Sequence, residues 1–318
     1  MHLPDGILDP TTCVCTGIVS AATVGYAVHR VRTELQSGAI PLIGMTASCV
    51  FAAQMVNFPI VGGTSGHLLG GVLAAALLGP WVGLITMSIV LLVQSLLFHD
   101  GGVTALGANI LNMGIIGSLL GYSLYSAVQR RIGGRMGIIA GAALASWFAV
   151  QIGAILCSIE LAGSGMFRLE STLTNMEYFH SIIGVGEMLI TGLAVACISQ
   201  VRPSLLDRPA DTLMATKGID GLVIAGAAIA LFTSVGLSTV ASTNPDGLEA
   251  TIERLGFDMS SLSAVWSAPF ADYQVPGLQS LAISTPAAGM IGIIAVTILS
   301  LSVMWLTMSR GNRYVKRL

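Results

Sequence analysis

Apolar stretches separated by short polar joints are the feature that most constrains how this chain folds. The predicted helices lie at about 10–28, 39–57, 67–79, 80–98, 105–128, 136–159, 180–201, 219–241 and 287–308. Most of them reach the roughly 20 residues that a helix needs to cross a bilayer. Only 9% of the residues are charged, whereas soluble domains carry about 25%. The sequence therefore predicts an all-α polytopic membrane protein, and it leaves open whether the short 67–79 segment spans.

Basic residues predict how the helices are oriented. If the N-terminus lies outside, the nine predicted crossings place the C-terminus inside. Every Lys and Arg except Arg168 and Arg254 then falls on the inner side, as the positive-inside rule requires. Acidic residues collect outside, where a negative face raises the local concentration of cations. Taken one by one, most of these acids are expected to be solvated loop residues.

A charged, proline-containing segment at 202–218 divides the chain. We predict a seven-helix membrane domain at 1–201, a cytoplasmic linker at 202–218 and a two-helix hairpin at 219–318. The hairpin carries a long outside loop at about 242–286. The sequence contains no basic patch for nucleic acid and no GxxxxGK[ST] phosphate loop, so any ATPase must be a separate chain.

The chain begins Met1-His2-Leu3-Pro4, and this terminus is a candidate metal site. The Met1 amine and the His2 backbone nitrogen form a five-membered chelate ring, and the backbone nitrogen with His2 Nδ1 forms a six-membered one. Three nitrogens in a plane suit Ni(II) or Cu(II) and leave one corner open. The alternative is that His2 is an arbitrary residue on a frayed terminus.

His67 is the candidate for the fourth corner of that plane. It ends the glycine-rich stretch Val61-Gly62-Gly63-Thr64-Ser65-Gly66-His67, which we predict to be an irregular loop before the outer start of a helix. Irregular backbone at membrane depth is tolerated where it lines a cavity or is buried in protein. Taken alone, His67 also fits a structural histidine.

Five polar residues are weaker candidates for orienting the ligands by hydrogen bonds: Asn57, Asn109, Asn112, His180 and Glu187. Asn109 and Asn112 share one helix face, and so do His180 and Glu187. An acid well inside a membrane helix, as predicted for Glu187, is costly and therefore a candidate for function. Hydrogen bonding between helices explains all five equally well.

Four stretches, "MHLPDGILDP", "FAAQMVNFPIVGGTSGHLLGG", "FHDGGVTALGANILNMG" and "HSIIGVGEMLIT", resemble the CbiM/NikM family over residues 1 to about 201. "NPDGLEAT" resembles the CbiN/NikN component, over about 215–318. The resemblance implies a fused substrate-capture (S) component of an energy-coupling-factor transporter in a bacterial or archaeal cytoplasmic membrane. It implies that Met1, His2 and His67 hold the ion. It also implies a membrane coupling partner (CbiQ/NikQ-like) and cytoplasmic ATPase partners (CbiO/NikO-like), and no cofactor besides the transported ion.

The PDGLE motif comprises Pro245, Asp246, Gly247, Leu248 and Glu249. We expect a tight turn at 245–247, because proline fixes φ and glycine permits positive φ. The 242–286 loop contains no His or Cys, so it is a poor source of primary ligands. We expect it to dock on the N-terminal domain and help the metal loop to close. An ordinary exposed turn is the alternative.

The resemblance thus implies a capture subunit for Ni(II), with Co(II) for cobalamin synthesis as the alternative cargo. Binding through a deprotonated peptide nitrogen should release protons and weaken in acid. An intramembrane metalloenzyme is a competing interpretation, but it needs an open coordination position and a nearby base, and the chain lacks HExxH. A metal sensor would need an output domain, for which the C-terminal tail is too short.

Overall fold

The computed structural model describes residues 1–32, 35, 37–206 and 220–315. Its α-helices are α1 (Pro10–Val31), α2 (Ile40–Gln54), α3 (Gly71–Leu78), α4 (Pro80–Val93), α5 (Leu106–Asn109), α6 (Gly121–Ile132), α7 (Gly134–Gly163), α8 (Leu169–Val201), α9 (Asp220–Val235), α10 (Gly247–Arg254) and α11 (Leu281–Val315). Wider, π-helical stretches at Gln94–Phe98 and Ile110–Leu120 continue α4 and join α5 to α6. The strands are β1 (Phe58–Ile60) and β2 (Thr64–Gly66).

Within the described residues, seven helices are long and apolar enough to cross a membrane. They cover Pro10–Val31, Pro80–Phe98, Leu106–Ile132, Gly134–Gly163, Leu169–Val201, Asp220–Val240 and Leu281–Met308. The prediction of an all-α polytopic membrane protein is therefore confirmed. The helix predicted at 180–201 begins earlier, at Leu169, because its polar first turns hide it from an analysis of apolar periodicity.

The predicted 67–79 helix is reduced to α3, whose eight residues are all buried. A helix of that length rises about 12 Å, well short of the roughly 30 Å hydrocarbon core, so α3 does not span. A Cβ on Gly71 at its start would lie 2.8 Å from Gly117 Cα, which is near the middle of the Leu106–Ile132 span. The chain preceding α3 therefore enters the bundle.

That preceding segment is a β-hairpin and not the irregular loop that the sequence suggested. β1 pairs antiparallel with β2, with Phe58 opposite Gly66 and Ile60 opposite Thr64. Gly62 and Gly63 at the tip have positive φ. A Cβ on Gly66 would lie 2.8 Å from Ile183 Cγ1 of α8, so glycine allows β2 to pack closely on that helix. The hairpin delivers His67 four residues before α3 begins, not at a helix start.

The C-terminal helices α9 and α11 pack against α2. Ser48 Oγ and Thr297 Oγ1 are 2.7 Å apart, and the Cys49 thiol donates to the Gly226 carbonyl across 3.2 Å. A Cβ on Gly44 would meet Leu301 at 3.2 Å. Most of the predicted 202–218 linker lies outside the described residues, and the domain boundaries at that linker stay a prediction.

Candidate metal centre

The N-terminal segment is bound inside the protein and is not a frayed end. Met1 is 2% exposed and Leu3 is fully buried. The Leu3 N–H donates to Asn109 Oδ1 (2.8 Å), and the Leu3 carbonyl accepts from Asn109 Nδ2 (3.1 Å) and from the Gly102 N–H (2.8 Å). Because both backbone polar groups of Leu3 are paired in this way, the first three residues have a fixed position.

The Met1 amine lies beside His67. Its nitrogen is 3.2 Å from His67 Nε2 and 2.6 Å from Asp246 Oδ2. The His2 ring stacks on the His67 ring, with centroids 5.0 Å apart and planes inclined by 28°. The structure therefore brings His67 to Met1 and His2, from which it is separated by more than sixty residues of sequence.

The loop that follows His67 is held by two polar contacts. His67 Nδ1 lies 3.0 Å from the Leu68 carbonyl, which can only accept a hydrogen bond, and Nε2 faces the Met1 amine. Glu187 of α8 accepts hydrogen bonds from the N–H groups of Leu69 (2.6 Å) and Gly70 (2.9 Å). A buried carboxylate thus orders the backbone next to a candidate ligand, an arrangement typical of metal sites.

The His2 imidazole is almost completely enclosed. Its side chain is 6% exposed, and Nδ1 lies 3.1 Å from Asp100 Oδ1. Burial lowers the pKa of His2 to about 4, even though the Asp100 charge acts in the opposite direction. Because that pKa is far below neutrality, the ring is uncharged at pH 7, the state that a metal ligand needs. Asp100 accepts a second hydrogen bond, from Tyr273 Oη at 2.5 Å.

Asp246 caps a helix instead of forming the tight turn that we expected. Its Oδ1 accepts from the N–H groups of Leu248 and Glu249, while the Glu249 carboxylate accepts from the Asp246 N–H (2.9 Å), which makes a capping box on α10. Burial alone would raise the pKa of Asp246, but the Met1 charge and contacts with His67 hold that pKa well below its usual range. One side chain thus begins α10 and pairs with the terminus.

The remainder of the PDGLE motif lies against the hairpin and α8. The Pro245 carbonyl accepts from the Ser65 N–H (2.8 Å). Leu248 is fully buried in a cluster with Met1 and Leu3. A Cβ on Gly247 would lie 2.9 Å from the His180 ring. The motif therefore contacts the segments that carry all three candidate ligands.

The other sequence-predicted residues divide into two groups. Asn109 and Glu187 bond the two ligand-bearing segments, as described above. Asn112 instead donates to Glu160 (2.6 Å), and His180 Nδ1 contacts the Met176 carbonyl of its own helix (2.8 Å). Asn57 contributes its backbone carbonyl, which accepts from the Ser242 N–H (2.8 Å).

Three residues around the site were not among the candidates predicted from the sequence. Asp5 and Asp100 were expected to be solvated acids, and Tyr273 was not singled out. Asp5 is 1% exposed; it accepts from the Thr104 N–H (2.8 Å) and hydroxyl (2.7 Å) and from the Val265 N–H (3.2 Å). The available signal for Asp5 was its position directly after Pro4, within four residues of Met1 and His2.

In the described part of the chain, no three His, Cys, Asp or Glu side chains form a group that could hold a metal. The groups that can do so at this site are the Met1 amine, the His2 backbone nitrogen and the two imidazoles. Only two of these four donors are side chains. Nitrogen donors in this combination favour a late first-row divalent ion over Mg(II) or Ca(II), which prefer oxygen.

The fold and this buried terminus define a polytopic membrane protein whose N-terminus is enclosed beside two imidazoles. Residues 2–205 match the family described as the cobalt uptake substrate-specific transmembrane region (CbiM), and residues 220–309 match the PDGLE domain. The chain belongs to the CbiM family, fused to a PDGLE domain, as the sequence resemblance predicted.

Relatives and solved structures agree with this assignment. The fused nickel transport protein NikMN of Rhodobacter capsulatus is 30% identical over 100% of this chain and 99% of that protein. A protein of Archaeoglobus fulgidus provisionally named as a fused NikMN is 36% identical over 93% of this chain and 95% of its own length. The crystal structure of a truncated transition metal transporter, 29% identical, superposes with a TM-score of 0.58 over 63% of this chain and 99% of that one. The chain is a component of a nickel/cobalt transporter and not an enzyme.

Proposed function

We propose that the chain is the substrate-capture subunit of an energy-coupling-factor ABC importer that takes up Ni(II) across the cytoplasmic membrane. The observation that carries this proposal is the buried Met1 amine, 3.2 Å from His67 Nε2 and beside the His2 ring. A terminal amine is strongly hydrated, and burying it is costly unless it gains a partner. Asp246 is such a partner, at 2.6 Å. A metal site that uses the amine nitrogen as a ligand accounts for the position of this terminus beside two imidazoles.

In the proposed site, the Met1 amine, the His2 backbone nitrogen, His2 Nδ1 and His67 Nε2 form a square plane around the ion. The terminal dipeptide closes two chelate rings, and His67 fills the remaining corner. His67 Nε2 lies 3.2 Å from the amine nitrogen. A planar set of four nitrogens suits Ni(II). Co(II) is the alternative cargo, and the names of the two full-length relatives favour nickel.

The PDGLE motif acts in this proposal as a support and not as a ligand. Through Asp246 it contacts the Met1 amine, and through Pro245 it contacts Ser65 of the hairpin before His67. Docking of the C-terminal part therefore fixes the two ligand-bearing segments relative to each other. This arrangement fits a division into residues 1–201 for capture and 219–318 for loading, joined by 202–218.

The importer requires other chains that hydrolyse ATP and couple this hydrolysis to transport. We propose a membrane coupling subunit of CbiQ/NikQ type and ATPase subunits of CbiO/NikO type, since the sequence has no phosphate-binding loop of its own. The N-terminus and PDGLE motif face outside and the C-terminus inside, as the distribution of basic residues indicates.

The test titrates Ni(II) into the purified, metal-free full chain and measures the affinity by isothermal titration calorimetry. Adding one uncleaved residue before Met1 should abolish tight binding, because the amine moves out of the chelate rings. His67→Ala should weaken binding by at least about 100-fold, since losing even an outer hydrogen-bond partner costs about 10- to 100-fold. His29→Ala is the matched control, because His29 is exposed on α1.

Wild-type affinity in the extended chain would exclude the proposed coordination. Unchanged affinity in His67→Ala would assign the fourth corner to another group. Loading from an equimolar mixture of Ni(II) and Co(II), followed by metal analysis, then identifies the preferred cargo.

A further inference from the structure

The His2 imidazole contacts Asp100 through the nitrogen that chelation requires. Nδ1 lies 3.1 Å from Asp100 Oδ1, and Nε2 is buried without a hydrogen-bond partner. A ring nitrogen that faces a carboxylate oxygen at this distance carries a proton. Nδ1 is also the only ring nitrogen that can close a six-membered ring with the His2 backbone nitrogen. Contact with Asp100 and binding of a metal at Nδ1 therefore exclude each other.

Asp100 is held in place by the C-terminal loop. Tyr273 Oη donates to Asp100 Oδ2 (2.5 Å), and the Tyr273 ring stacks on Phe98 with centroids 4.8 Å apart and planes inclined by 15°. The Tyr273 side chain thereby connects the 242–286 loop to His2 at a position separate from the PDGLE motif.

Residues with an unfavourable backbone conformation lie at the same contact. In the described part of the chain, the non-glycine residues with positive φ are His99 (57°), Asp272 (53°) and Tyr273 (55°). All three adjoin or form the contact between Asp100 and Tyr273. Side chains disfavour this region of φ, and such strain persists only where the surroundings enforce it.

We propose that Asp100, fixed by Tyr273, is a positioning residue that holds the His2 imidazole in the metal-free site with its chelating nitrogen occupied. Metal capture then has two stages at this corner. His2 Nδ1 leaves Asp100 while the single ring proton passes through solvent from Nδ1 to Nε2, so that the imidazole stays neutral, and Nδ1 then closes the chelate ring. The proposal deepens the proposed function and rests on His2 Nδ1 being a ligand.

Two substitutions separate the hydrogen bond from the charge. Asp100→Asn and Asp100→Ala both remove the negative charge that attracts cations. Only Asn keeps an oxygen that can accept from His2 Nδ1, while its amide can donate to Tyr273 Oη. In stopped-flow measurements with Ni(II), the Ala variant should associate about 2- to 10-fold faster than the Asn variant, the size of one neutral hydrogen bond. Equal rates, or a slower Ala variant, would overturn the proposal.

A second measurement needs no variant at Asp100. The ring nitrogen shifts of His2 in the ¹⁵N-histidine-labelled, metal-free chain should show protonated Nδ1, since only five histidines need assignment. Tyr273→Phe, which keeps the ring stacking, should shift protonation toward Nε2. Protonation on Nε2 in the wild type, or no change in Tyr273→Phe, would contradict the proposal. A wild-type chain that binds no Ni(II) contradicts the proposed function instead, and the ring shifts still report on the Asp100 contact.

Discussion

Glu187 is the buried carboxylate that orders the loop after His67, and Glu187→Ala should weaken metal capture without unfolding the protein. The carboxylate accepts from two backbone N–H groups, of Leu69 at 2.6 Å and Gly70 at 2.9 Å. Each buried donor left without a partner costs about 1–3 kcal/mol. The two together cost about 2–6 kcal/mol, which the loop can reduce by moving toward other acceptors.

Such movement displaces His67, which is two residues before Leu69. Loss of an outer hydrogen-bond partner typically lowers metal affinity by about 10- to 100-fold, and we expect Glu187→Ala to fall in this range. Glu187→Gln should have a smaller effect, because its amide oxygen still accepts one of the two hydrogen bonds. Glu170→Ala is the matched control, since Glu170 is exposed in the first turn of the same helix.

The assay is Ni(II) titration of each purified variant, with helix content from circular dichroism and amide exchange measured at residues 67–70. The expected pattern is native helix content, faster exchange at Leu69 and Gly70, and weaker binding. A folded Glu187→Ala variant with wild-type affinity and unchanged exchange would show that Glu187 does not hold this loop.

Two further substitutions test how the ligand segments are positioned. Gly102→Ala should abolish tight Ni(II) binding, because the new Cβ would lie 2.2 Å from the Asp5 nitrogen and push the N-terminal segment away. Gly25→Ala is the control: no atom lies within 4 Å of its Cβ, so this variant should bind Ni(II) like the wild type. Replacing 245–249 by Gly and Ser should strongly reduce uptake in cells, since it removes the Asp246 contact and the buried Leu248, whereas the same replacement at the exposed 276–279 should not. Normal uptake in the first replacement would assign the C-terminal contribution to its helices.

Local sequence information was sufficient for the class of protein and for one half of the candidate site. Membrane helices follow from the length and hydrophobicity of consecutive residues, because the bilayer selects for these alone. The chelating geometry of Met1 and His2 is likewise local, since both rings close within two residues. His67 was identified as a candidate ligand through a motif that resembles a known family, and its position beside the Met1 amine was only an expectation.

The tertiary structure decided the depth and the surroundings of the site. A glycine-rich run does not distinguish a loop from a hairpin, and the burial of α3 depends on its packing against the 106–132 helix. The partners of the ligand-bearing segments, Asp246, Asp100 and Glu187, are 98 to 245 residues away from the groups they contact. No local pattern specifies such pairs, because each forms only when separate helices and loops close on one another. The sequence alone therefore determined which groups can bind a metal, and the fold determined which residues hold those groups in place.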